Sequence, residues 1–218
     1  MSTLVKLGLG LALAFASTFV VIKLMGWITT EDVRGWLEAG QTASPHMVGV
    51  IVAALLFADL FIAVPTLTIT LLSGFFLGFE LGLVYALTGY WLAGGTGYVL
   101  SRVFGRPALR LITTDDAKIA EMDDLFRRHG LVVLSMARAV PILAEVSACL
   151  AGATKFPVKR FAFGWAVNSI PYAVIAVYAG SVSSLDDPKP AIFTAIGLTA
   201  ILWTAWYIFT KRVKPDTS

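Results

Sequence analysis

The sequence predicts an all-α integral membrane protein, in which transmembrane helices combine with two opposed re-entrant helical hairpins related as an inverted repeat. Three observations lead there. The 218 residues are 57% hydrophobic and 14% charged, well below the roughly 25% charged residues of a soluble domain. The tripeptide Ala-Val-Pro occurs at Ala63-Val64-Pro65 and again at Ala139-Val140-Pro141, each time inside a long apolar stretch. Each copy runs on to a glycine, Gly74 or Gly152, and then through a charged collar into another apolar segment. Proline halts a helix because it lacks an N–H and its ring clashes with the preceding turn. Backbone freed at membrane depth persists only where protein buries it or where it lines a wet cavity. Two such breaks in matching places are the pattern of repeat-built transporters.

The elements follow in order. The apolar run 4–22, interrupted by Lys6, is too long for a signal-peptide core and has no small-residue cleavage site after it. Residues 5–25 are therefore read as a retained first transmembrane helix. Residues 27–45 form a polar collar with a helix start at Thr30-Glu31-Asp32, and Trp27 and Trp36 suit the membrane interface. Residues 46–62 and 66–78 are the arms of the first hairpin, and 131–152 is the second. Pro65 and Pro141, with Gly74 and Gly152 closing the runs that follow them, mark the hairpin tips. Residues 81–103 span the membrane, and 115–129 form a surface helix ended by Gly130. Residues 161–182 span again, with Asn168 and Pro171 marking a kink and a polar contact across the bundle. A turn at 183–190 leads to a last span at 191–210. The organisation is 1–45 for the first helix and external collar, 46–182 for the core with both hairpins (46–78 and 131–152), and 183–218 for the last span and basic tail.

Charge distribution sets the expected topology. With both Ala-Val-Pro segments as hairpin tips, thirteen of the 17 Lys and Arg fall on one side. They are Lys6, the six from Arg102 to Arg128, the three from Lys155 to Arg160, and the three that end the chain. Basic loops mark the cytoplasmic side, so both termini are placed in the cytoplasm. The same rule explains the sequence pI near 9.1 without nucleic acid. The single Cys149 excludes an internal disulfide, and no Cys/His cluster or metal motif is present. No metal or cofactor is expected. No nucleophile–base set is visible either, which makes an enzyme the least supported class.

Three ionisable residues lie in or beside the broken segments: Asp59, Arg138 and Glu145. A charge at mid-bilayer costs at least about 2.5 kcal/mol on insertion scales, so such groups survive by pairing or by facing water, and they mark pathways. They are read either as a transport site or as a structural ion pair that pins the hairpin. Glu80, just beyond the first hairpin, is a candidate transport residue or an interfacial charge. The tyrosines Tyr85, Tyr90, Tyr98, Tyr172 and Tyr178 are read as packing or interface residues. Gly74, Gly78 and Gly82, then Gly89, Gly94, Gly95 and Gly97, let helices approach closely. That packing is within a protomer or between protomers of a homo-oligomer.

In chain order, Phe126-Arg127-Arg128-His129-Gly130, Arg138-Ala139-Val140-Pro141, Ala151-Gly152, Phe161 and Tyr178-Ala179-Gly180 resemble the signature of the DedA/VTT family, also called the SNARE-associated Golgi protein family. Pro65, Ser73-Gly74, Gly78, Gly82, Gly97-Tyr98 and Arg102-Val103-Phe104-Gly105 fit its first half. The resemblance covers residues 60–182. It implies opposed re-entrant hairpins and movement of lipids between leaflets, with a phospholipid or polyprenyl-phosphate lipid as the partner. Bacterial relatives are linked to such translocation and to proton-motive-force-dependent envelope homeostasis, and eukaryotic relatives look like scramblases. It also implies a multi-pass protein of the bacterial cytoplasmic (inner) membrane. Arg138 matches the family's R-x-x-P arginine. Many bacterial members carry a second arginine soon after that proline. Here the nearby charge is Glu145, which moves the chain toward the TVP-type branch. Asp59 precedes the first tip, where relatives carry acidic residues.

The expected function is lipid translocation, flippase- or scramblase-like, with the headgroup passing a polar groove near the hairpin tips. A proton- or cation-coupled transporter of a small solute, with Asp59 and Glu145 carrying protons, is the alternative. A non-transport membrane scaffold is the third reading.

Overall fold

The computed structural model of the chain describes residues 44–61, 64–112, 116–139, 143–184 and 187–212. The expected first span at 5–25, most of the collar, Pro141 and the chain end from 213 lie outside these residues. The chain divides into two compact units, 1–48 and 49–218. Of the first, only 44–48 are described, where the Ser44 hydroxyl caps the start of a helix by accepting the Met47 N–H at 3.3 Å.

Among the described residues all regular structure is helical. Helix α1 is Pro45–Ala58. It buries Val52, Ala53 and Leu56 along one stripe and exposes Val50, Ile51 and Leu55 on the other faces. The helix ends before Asp59, whose carboxylate accepts the Val64 N–H at 2.9 Å and ties the turn that follows. Pro65 then precedes α2, Thr66–Ile112, where its missing donor costs no helical bond. Helix α2 is interrupted at Gly78, with φ 73 and ψ −179. That left-handed φ suits glycine because a Cβ would be strained there. The arm 66–77 consequently folds back along 79–112, with Gly82 against the Ser73 carbonyl and the Thr70 hydroxyl bonded to that of Tyr90.

The second half repeats this order of parts. Helix α3, Asp116–Met136, runs into a 3-10 turn at Ala137–Ala139. Helix α4, Leu143–Ala153, follows, then a turn in which Lys155 has φ 55, then α5, Val158–Ser181. Tyr98 staples that turn: its hydroxyl donates to the Phe156 carbonyl at 2.6 Å, and Arg102 Nη1 reaches both oxygens at 2.7 and 3.2 Å. Helix α6 is Lys189–Arg212.

Two long helices form the axis. The 79–105 part of α2 and α5 run antiparallel, as Tyr98 stacks on Phe161, Trp165 reaches the Tyr90 carbonyl, and Tyr90 meets Tyr172 edge-on. The arm 66–77 lies against α5, and α4 lies against the 79–105 part of α2. A Cβ on Gly74 would fall 2.0 Å from the Val177 carbonyl oxygen, and one on Gly180 would fall 1.9 Å from that of Leu71. At the other end, a Cβ on Gly152 would fall 2.1 Å from the Tyr98 carbonyl oxygen. The backbones touch at these points, the arrangement that small residues permit in membranes.

Helices long and apolar enough to cross a membrane occupy 66–105 and Val158–Ser181, and Lys189–Ala205 is a shorter apolar helix. Their outer faces expose Val84, Val99, Val103, Phe163, Ile175, Ile192, Phe193 and Ile196. A soluble surface rarely carries so continuous an apolar patch, whereas a bilayer solvates it.

Three sequence expectations are corrected. Gly74 and Gly152 are not at the breaks; they sit where α2 and α4 cross the opposite long helix. Gly130 does not end a surface helix, because α3 continues to Met136 and uses Gly130 as a seat for the Phe126 and Phe156 rings. The arm entering the second break therefore starts at Asp116 rather than at 131. Pro171 lies inside α5, on its exposed side.

Gly74→Ala, Gly152→Ala and Gly180→Ala are each expected to destabilise by about 1–3 kcal/mol through overpacking, read as a lower Tm in detergent. Gly197→Ala, with nothing within 4 Å of its Cβ, is expected to hold or raise Tm, because alanine is the better helix former.

Candidate functional site

The two breaks bring their charges to one place, midway along the antiparallel pair. Arg138 belongs to the 3-10 turn, Glu145 to the first turn of α4, and Asp59 follows the last turn of α1. All three act electrostatically on the buried Tyr90 hydroxyl. The carboxyl groups of Asp59 and Glu145 face each other at hydrogen-bonding reach. Helix α6 packs against the Arg138 turn from the side.

Arg138 is held by rings rather than by carboxylates. Its guanidinium carbon lies 3.7 Å from the centre of the Tyr90 ring, 5.0 Å from Tyr172 and 5.9 Å from Trp165. Arg138 forms no ion pair among the described residues, where Arg128 with Asp124 and Lys189 with Asp187 do. A desolvated cation–π contact is worth about 2 kcal/mol or more, and an arginine at mid-span costs about 2.5–3.5 kcal/mol on insertion scales. Three rings therefore offset most of that cost. They do so through the faces of the guanidinium, which leaves its N–H edge free to bond something else.

The rings are themselves fixed. The Tyr90 hydroxyl bonds Thr70, whose own hydroxyl stands one turn from the Thr66 carbonyl at 2.6 Å. The Trp165 indole N–H donates to the Tyr90 carbonyl at 3.1 Å, and Gly94 leaves room for that indole. Thr66 sits beside Tyr172. The start of α2 thus braces two walls of the box. Asn168, on α5, accepts the Arg138 backbone N–H at 3.4 Å through its side-chain oxygen.

The VTT domain model matches residues 64–182. This chain belongs to the VTT domain family. No curated protein and no solved structure matches it. The VTT segment opens at Val64, immediately after the first break, and closes just past α5. It contains Arg138, Glu145, Asn168 and all three walls of the box, but it leaves Asp59 and α1 outside. Asp59 therefore comes to this cluster from the turn that precedes the VTT segment.

Glu80 does not join the site. It is exposed and stands ten residues before Tyr90 on the same helix, about 15 Å along the axis at 1.5 Å per residue. Pro171 contributes no polar group. The box itself, Tyr90, Trp165 and Tyr172, escaped sequence reasoning, as did Thr66 and Thr70. The available signal was depth: these aromatics fall near the middle of their spans, away from the interfaces where tyrosine and tryptophan gather.

Two changes at Tyr90 separate ring from hydroxyl. Tyr90→Phe is expected to cost about 1 kcal/mol by removing one hydrogen bond while keeping the ring face. Tyr90→Ala removes that face and leaves a cavity, costing about 3–5 kcal/mol. Thermal unfolding of the two variants in the same detergent checks the order.

Proposed function

We propose that this protein moves lipids between the leaflets of a membrane, with the headgroup passing the site where the two breaks meet. The observation that carries the reading is Arg138. It is a permanent cation in the middle of an apolar bundle, held by ring faces, with no ion-pair partner among the described residues. The Asp59 and Glu145 carboxyls lie near it but form no ion pair with it, so its N–H edge can take an anion from outside the protein, and a lipid headgroup brings one to membrane depth with its tails still in the bilayer.

The architecture supports this. We read α1 with 66–77, and α3 with α4, as re-entrant hairpins entering from opposite faces and related as an inverted repeat. The 79–105 part of α2 and α5 are then full spans of a multi-pass protein. The basic residues from Arg102 to Arg128 and from Lys155 to Arg160 lie on the cytoplasmic side under this reading, as does each terminus. Glu145 in the region where many relatives carry a second arginine favours the TVP-type branch. The residues present suit binding and passage rather than covalent chemistry.

A second reading rests on the Asp59–Glu145 contact. A proton held between two carboxyls beside a cation is a means of coupling passage to a proton gradient, for a lipid or for a small solute.

Purified protein in liposomes with a labelled phospholipid in one leaflet tests the first reading. Wild type is expected to equilibrate the label, and Arg138→Ala to slow it at least about tenfold, or 1.4 kcal/mol of barrier. Equal rates would remove Arg138 from the path. Proton flux lost in Glu145→Gln would favour coupling. A wild type that moves neither lipid nor protons would leave a scaffold.

A further inference from the structure

The box explains how Arg138 is held. It does not explain Asn168. This side chain is 6% exposed and sits in the middle of α5, facing the bundle. Its oxygen accepts the Arg138 backbone N–H, which sets the orientation of the amide and turns Nδ2 away from that bond. Among the described residues Nδ2 has no acceptor, and neither does the buried Arg138 Nε. A buried donor without an acceptor is costly, and a leucine at this position would remove it at the expense of the bond to the Arg138 N–H.

The two orphans share a chemistry. An amide NH2 group and a guanidinium N–H are donors only. They lie on residues that a hydrogen bond already joins, which makes them neighbours. No acceptor among the described residues bonds either. The Asp59 and Glu145 carboxyls face each other, and Arg138 pairs with neither. Ser169 Oγ is also buried without a partner, but the adjacent position on α5 turns it about 100° away from Asn168. Two neighbouring donors, one of them cationic, complement an oxyanion. The guanidinium fork is shaped for carboxylate or phosphate oxygens.

We propose that Asn168 is a ligand-binding residue, and that Arg138 Nε and Asn168 Nδ2 together seat a phosphate group. The inference deepens the lipid reading and rests on it only for what carries the phosphate. The seat fits a lipid phosphate or a soluble phosphate equally.

The test is thermal unfolding of the purified full chain in detergent, titrated separately with three probes. They are short-chain dihexanoyl phosphatidic acid, inorganic phosphate, and phosphate-free dihexanoylglycerol. Wild type is expected to gain Tm with phosphatidic acid and not with dihexanoylglycerol. Asn168→Leu is expected to keep a Tm near that of wild type without ligand, since the orphan donor it removes offsets the Arg138 N–H that it leaves without an acceptor, and to bind phosphatidic acid at least tenfold more weakly. Asn168→Asp, which keeps the oxygen but replaces the donor with a negative charge, is expected to abolish the shift. A Tm gain with inorganic phosphate alone, lost in Asn168→Leu, would keep the seat and sink the lipid reading. A wild type indifferent to both phosphate probes would overturn the seat. So would an Asn168→Leu variant that binds as wild type does, or that is destabilised with its phosphate affinity intact.

Discussion

The guanidinium of Arg138 against the face of Tyr90 at 3.7 Å is the contact around which the centre of this protein is arranged. A cation in an apolar bundle needs compensation, and a carboxylate would supply it by occupying the N–H edge. Ring faces compensate the charge from above and below and leave the donors available. The consequence runs outward. Tyr90 has to be positioned, so Thr70 bonds its hydroxyl and Trp165 its carbonyl. Trp165 has to fit, so Gly94 stands opposite it.

That box depends in turn on where the short arms lie. Thr70 reaches Tyr90 only because 66–77 folds back at Gly78 and is pressed against α5 at Gly74 and Gly180. Arg138 and Glu145 reach the same depth because α4 is pressed against α2 at Gly152. The glycines are thus remote from the charges and still decide whether they meet. This also explains why Asp59, outside the VTT segment, shares a contact with Glu145: its turn is tied by the Val64 N–H at the point where the domain begins.

Part of the site was legible in the sequence because cost makes it conspicuous. Asp59, Arg138 and Glu145 are ionisable residues in apolar runs, and bilayer energetics single them out without a structure. Tyr90, Trp165 and Tyr172 carry no such cost. An aromatic side chain in a transmembrane helix is unremarkable whether it packs on lipid, on a helix or on a cation. Glu80 was conspicuous for the same reason as the others, yet it lies at the exposed end of its helix. Gly130 looked like a helix stop because glycine is a poor helix former, and tertiary packing of Phe126 and Phe156 overrode that preference.

By itself, then, the sequence determined the class of the protein, the positions of the two breaks and the identity of the charges near them. Hydropathy, proline and charge act locally and can be read one residue at a time. Only the tertiary structure decided that Arg138 takes rings and not Glu145 as its partners. It alone decided that Asp59 and Glu145, one beside each break, face each other, and that Asn168 keeps a buried side-chain donor without a partner. Those outcomes depend on helix rotation and crossing points, set by backbone contacts between segments about a hundred residues apart, and no local pattern encodes them.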